Sequence, residues 1–192
     1  MKALVDALEA RLGKPVELIE VDGVTSISAE KILVLLPCRG GHWHRLLNRI
    51  AVGRVVRLPP TVIATILARS ARARGVKRLV LCYLKARRFR EEQEEDIRAI
   101  IASLEGFGVE AVALGLDSME PSRKKTIVPL EGSAMAPLAI FPGKLAKTCY
   151  SASNGVPVGP LLVEGFDIVL EWAYNVARER YVGQSHHYIW TV

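Results

Sequence analysis

Short apolar runs separated by segments of helical period constrain this chain more than any other feature. Ile32–Leu36 (Ile-Leu-Val-Leu-Leu) is apolar throughout, the mark of a strand covered on both faces, as in a parallel sheet; we read it as a central strand. Val55–Leu58, Arg78–Leu84 and Val109–Leu114 read as further strands. Between them, Pro59-Pro60-Thr61 opens a helix with Val62, Ile63, Ile66 and Leu67 on one face and Gly75 to close it, leaving Thr61, Thr65 and Arg72 outward. Ile97, Ile100, Ile101 and Leu104 stand at i, i+3, i+4 and i+7, predicting a helix whose first turn carries Glu91, Glu92, Glu94 and Glu95 against its positive end. Strands alternating with helices at this spacing predict an α/β fold, a Rossmann-like, mainly parallel sheet with helices on both faces.

The flanks extend this core. Ala3, Leu4, Leu8 and Leu12 with Gly13 predict a helix over 2–12, Pro15–Val21 reads as a strand ending at Asp22-Gly23, and His44–Ala51 as a short helix. The 192 residues suit one domain, with a βαβ core at 31–115, an irregular extension at 116–163, a closing helix at 164–181 and a tail at 182–192. Thr126–Leu130 and Leu138–Phe141 read as short strands inside the extension. The apolar face Phe166, Val169, Leu170, Ala173, Val176 and Ala177 is core or a homodimer contact. Tyr188, Ile189 and Trp190 make an apolar terminus that should dock on its own domain or on a partner.

No apolar run approaches the roughly eighteen residues that span a bilayer. Cys38, Cys82 and Cys149 are an odd number without paired spacing, and no basic-then-apolar leader opens the chain, so the expectation is a reducing cytoplasm. Asn and Gln are scarce (Asn48, Asn154, Asn175, Gln93, Gln184) while Arg is abundant, a bias shared with thermophile proteins.

Charge is distributed far less evenly than the net +6 implies. Residues 31–90 hold fifteen Lys and Arg and no acid, whereas 1–30 carry −3 and 91–192 carry −6. Two readings follow. Either these bases fold against acids of another segment, such as the Glu91–Asp96 run, as surface pairs, or they focus a positive potential on a cleft that takes phosphate or carboxylate ligands. Ligands of parallel sheets sit beyond the carboxyl ends of the strands, and two basic loops fall there: Cys38–Arg45, and Lys85–Arg90 with Lys85, Arg87, Arg88 and Arg90.

Pro37-Cys-Arg-Gly-Gly-His-Trp-His-Arg45 concentrates the chemistry. Gly40 and Gly41 let backbone amides approach a ligand, Arg39 and Arg45 bring charge, and His42 and His44 can accept protons or bind a divalent transition metal. Familiar sites do not match. A cysteine phosphatase needs Arg six residues after its Cys, and that position is His44, with Arg45 one late. The Gly-Lys-Ser/Thr of a Walker loop and the three spaced glycines of a dinucleotide fold are absent, as is any Cys-x-x-Cys zinc pair. Cys38, His42, His44, His186 and His187 leave an open metal site as the alternative.

The strand Ile32–Leu36, a following loop with Gly and His, a later apolar strand, a basic loop and the Glu95-Asp96-Ile97 helix opening resemble the class II chelatases over about residues 31–115. The resemblance implies a metal chelatase, a lyase that inserts cobalt, nickel or iron into tetrapyrroles such as sirohydrochlorin. It uses one histidine after the first strand and another just before a Glu-Asp-Ile/Leu helix. His42 would stand for the first, and Glu92 falls where the second is expected. The family's Gly-His-Gly-Ser order reads here Gly40-Gly41-His42-Trp43, and a helix precedes the first strand.

Two further readings use the same charges. A non-enzymatic nucleotide or oligonucleotide sensor, resembling the Rossmann-like domains of CRISPR-associated proteins, would hold phosphates with arginines and stack bases on Trp43, Tyr83 or Phe89. General DNA or RNA binding would show a steep salt dependence.

Overall fold

The structure, a computed structural model, describes residues 2–13, 15, 33–35, 55–85, 90–117, 132–139, 143–151 and 156–178. In chain order its elements are α1 (Lys2–Leu12), β1 (Leu33–Leu35), β2 (Val55–Arg57), α2 (Pro60–Ala73), β3 (Arg78–Leu84) and α3 (Arg90–Gly106). They continue with β4 (Glu110–Leu116), β5 (Ser133–Pro137), α4 (Lys144–Ser151), β6 (Val156–Pro157), α5 (Leu161–Glu164) and α6 (Phe166–Arg178).

Strand β3 organises the sheet. It pairs in parallel with β4 from Arg78↔Glu110 to Leu84↔Leu116, and on its other side with β5 from Arg78↔Ser133 to Cys82↔Pro137. β6 follows beside β5, giving the order β4-β3-β5-β6, parallel throughout. β1 and β2 form a separate parallel pair, Leu33↔Val55 to Leu35↔Arg57, and no ladder joins β1 to β3 among the described residues.

Side chains of a strand alternate between faces, and β3 feeds two cores. Leu79, Leu81 and Tyr83 join Ile63, Ile66 and Leu67 of α2, Ile97, Ile100 and Leu104 of α3, and Val169 and Ala173 of α6. Val80 and Cys82 turn the other way, to Met135, Ala139, Leu145 and Cys149. Helices therefore cover both faces, and the expected α/β architecture holds.

The helices start and stop where chemistry dictates. Pro60 sits in the first turn of α2, where a missing N–H costs nothing, behind an extended Pro59 whose carbonyl accepts from Val62 and Ile63. Gly75 adopts φ +66°, and Gly75 N–H to Arg72 O with Val76 N–H to Ala71 O closes the helix in a Schellman motif. Gly108 at φ +75° does the same for α3, with Val109 N–H reaching Leu104 O. Each motif delivers an apolar residue into the strand that follows.

Several expectations need correction. The strand expected at Leu138–Phe141 lies earlier, at Ser133–Pro137, because it is built from small residues (Ala134, Ala136) that fit under neighbouring helices without a β-branched signature. The stretch read as irregular thus supplies β5, the strand beside β3. The closing helix expected at 164–181 is α6, which begins at Phe166 after Gly165, and the short α5 precedes it. Cys82 and Cys149, read as unpaired thiols, form a disulfide across 67 positions with Cα atoms 6.2 Å apart; the sheet, not local spacing, brings them together. The helix at 44–51, the strands at 16–21 and 126–130, and the tail at 182–192 lie outside the described residues.

A carboxylate locks the end of α2 to the β6–α5 turn. Glu164, with a side chain only 12% exposed, accepts from Ser70 Oγ at 2.8 Å, Arg74 Nη1 at 3.0 Å, Arg74 Nη2 at 2.7 Å and the Gly159 N–H at 2.6 Å. Burial alone would raise its pKa, but the bonds from Arg74, Ser70 and Gly159 outweigh that and hold it below the ordinary value. A folded value below the unfolded one contributes stability above the usual carboxylate range and loses it as pH falls through the folded value. Glu164→Gln should therefore cost about 2 kcal/mol at neutral pH and flatten the acid limb of stability against pH, both read from urea unfolding.

Gly165 meets a different constraint. A Cβ there would overlap Ile66 Cγ1 and stand 2.8 Å from Ile66 Cδ1 and Cγ2, although its φ of −139° is open to any residue. Gly165→Ala should lose about 2 kcal/mol by overpacking alone, seen as a lower urea midpoint, and the same change should cost less in an Ile66→Ala background, which removes all three atoms.

Candidate functional site

A crevice in a parallel sheet opens where successive strands send their helices to opposite faces. After β3 the chain enters α3, which packs through Ile97, Ile100 and Leu104 on the face of Leu79 and Leu81. After β5 it enters α4, which packs through Leu145 and Cys149 on the face of Val80 and Cys82. β3 and β5 are neighbours, so the connections diverge at their carboxyl ends. That point lies between the carboxyl ends of β3 and β5.

Lys85 and Arg90 stand at this rim. Lys85 prolongs β3, its N–H bonded to Leu116 O at 2.9 Å, and its ammonium pairs with Asp117 Oδ1 at 3.0 Å. The lysine stem crosses β4 over Gly115, where a Cβ would lie 2.8 Å from Lys85 Cε, 2.9 Å from Lys85 Cγ and 2.9 Å from Tyr83 Oη. A glycine inside a strand marks such an approach. Arg90 opens α3 and pairs with Glu94 at 2.7 Å; that hydrogen bond, helped by Tyr83 and Asp117, favours its charged form. Buried Gln93 donates to Leu84 O at 2.9 Å and pins the first turn of α3 to the end of β3.

Of the residues expected in a site, Lys85 directly follows β3, and Arg90 and Glu92 belong to the first turn of α3. Arg39, Gly40, Gly41, His42, His44, Arg45, Arg87 and Arg88 lie outside the described residues. Sequence reasoning missed Gly115 and Asp117 at the end of β4, and the connection after β5. Gly115 had a visible signal, a glycine following the apolar run at 109–114.

The acid-free stretch looks different once folded. Arg69 pairs with Asp167, Arg74 with Glu164, Arg78 with Glu110, Lys85 with Asp117 and Arg90 with Glu94, and Arg72 donates to Phe107 O at 2.9 Å. Among the described residues, five of its bases thus meet acids from the later part of the chain, one of these acids belonging to the Glu91–Asp96 run. Arg69 in turn drives the exposed Asp167 carboxyl down to about 2. Among the described residues no group of three or more His, Cys, Asp or Glu can hold a metal ion, and no helix is long and apolar enough to cross a membrane.

If Gly115 exists to pass the Lys85 stem, Gly115→Ala should destabilise the chain by about 1–2 kcal/mol, and by less in a Lys85→Ala background. A double-mutant cycle in urea should return a coupling of about 0.5 kcal/mol or more; strict additivity would count against the contact.

No family model matches the chain, and no curated protein matches it significantly in sequence. Among solved structures it is similar to CbiX, the terminal enzyme for biosynthesis of siroheme in denitrifying bacteria, at 17% identity and a TM-score of 0.40, over 73% of this chain and 74% of that one. A likeness of that size assigns no activity.

Proposed function

We propose that this chain binds a carboxylate-rich anion at the carboxyl ends of its parallel strands, and that the anion is a tetrapyrrole receiving a divalent transition metal ion. The observation that carries the reading is the departure of α3 and α4 to opposite faces. In this reading the ligand sits at the strand end from which Lys85, Arg87, Arg88 and Arg90 follow in sequence. The resemblance of the 31–115 segment to the class II chelatases supports the choice of ligand.

The chemistry is coherent with that choice. Guanidinium groups pair carboxylates bidentately, which suits Arg39, Arg45, Arg87, Arg88 and Arg90 to a ring bearing many acids. Lys85 is a point charge already balanced by Asp117, so an arriving carboxylate competes with that acid. Metal insertion must remove two pyrrole N–H protons and strip water from the ion. Neutral imidazole is a ligand for the ion and a base near neutral pH. In this proposal His42 presents the metal and takes protons, with His44 or Glu92 assisting.

His42→Ala should abolish cobalt or nickel insertion into sirohydrochlorin, read by visible absorbance, while tetrapyrrole binding stays within about threefold. The single-residue expectation rests on the loss of one ligand and base, worth roughly two or more orders of magnitude in rate. Insertion retained by that variant would sink the assignment. Thermal stabilisation by nucleotides, with no spectral change on adding metal and tetrapyrrole, would select the sensor reading instead.

A further inference from the structure

We infer that the Cys82–Cys149 disulfide is a permanent staple, closed to small thiols in the folded chain, on which the seating of α4 against the sheet depends. Cys82 and Cys149 are both 0% exposed. Thiol exchange requires a thiolate to reach one sulfur of the bond, and here Val80, Met135, Ala139 and Leu145 pack in the same cluster. A redox switch needs an accessible sulfur, which this pair does not offer.

The dependence follows from the size of α4. It has 8 residues, too short to hold helical structure alone. Its buried apolar side chains are Leu145, Ala146 and Cys149, and the cluster beneath it is much smaller than the one that seats α2 and α3, of 14 and 17 residues. Two further contacts fix the region. Leu138 N–H donates to Cys82 O at 2.8 Å and Leu161 N–H to Ala139 O at 2.8 Å, both flanking α4 and neither holding it. Tyr150 Oη, on α4, donates to Val158 O at 2.5 Å, and Cys149, in the last turn of α4, supplies the covalent tie that reaches β3 itself.

Forming the bond takes two electrons and two protons from the two thiols. A low-molecular-weight disulfide can accept them: one of its sulfurs first forms a mixed disulfide with Cys82 or Cys149, releasing a thiol, and the second cysteine then displaces the other. This exchange has to occur while the cysteines are accessible, before α4 closes.

The test uses the full chain. Purified protein is held with dithiothreitol, with and without urea, then treated with iodoacetamide in excess over all thiol and unfolded in its presence, and Cys82 and Cys149 are followed by peptide mass mapping. Both should remain unlabelled in native buffer over a period in which the urea sample is fully labelled. Equal labelling in the two samples, or free Cys82 and Cys149 in the protein as purified without reductant, would overturn the staple.

The second measurement compares oxidised protein with the same chain refolded under reductant, by hydrogen exchange. Amides of 145–149 should exchange roughly a hundredfold faster in the dithiol form, whether α2 keeps its protection or the whole chain loses it. Unchanged protection of 145–149 would overturn the dependence of α4 on the bond.

Discussion

The rest of the molecule depends on a strand that shows almost nothing to solvent. β3 hydrogen-bonds on both edges, and its odd and even side chains belong to different cores. Such a strand can tolerate polar groups only at its ends, since a buried unpaired one costs free energy that burial of neighbours cannot return. Arg78 stands at one end and Lys85 just past the other, each paired with an acid carried in by β4. The polar chemistry of the crevice is thus a direct result of the apolarity of the strand that leads to it.

Electrostatics in this chain act between segments far apart in sequence. Arg69, Arg74 and Arg78, bases of α2 and β3, meet acids from 110–167, and these pairs tie together parts of the fold that are far apart in sequence. Most of these pairs are exposed and contribute modestly. The exception is Glu164, where a nearly buried carboxylate satisfies a hydroxyl, a guanidinium and a backbone amide together. A positive field directed at a ligand has to come from bases that lack such partners.

Legibility in the sequence followed the size of the side chains. Arg78–Leu84, built from Leu and Val, and the Ile97 to Leu104 face of α3 stand out from period and bulk, and the structure places them as expected. β5 did not stand out, because Ser133, Ala134 and Ala136 succeed in the sheet by being small enough for close packing, and small residues carry little periodic signal. The disulfide was hidden for a related reason: its partners are neighbours through sheet order, which no spacing rule encodes. At the site, the charge of Lys85 and Arg90 was visible in the sequence. Their tethering by Asp117 and Glu94 was not, since a partner across strands depends on register.

The twin glycine-ended helices have one more consequence. α2 and α3 each close with the same motif and release the chain so that Arg78 and Glu110 begin opposite one another. Two strands of 7 residues that start level also finish level, at Leu84 and Leu116. Between β3 and β4 the far rim is therefore even, set by turns at the opposite end of the sheet. Whatever chain grows from that rim can change in length and composition without disturbing the frame beneath it, so the geometry of recognition and the stability of the fold can be altered separately.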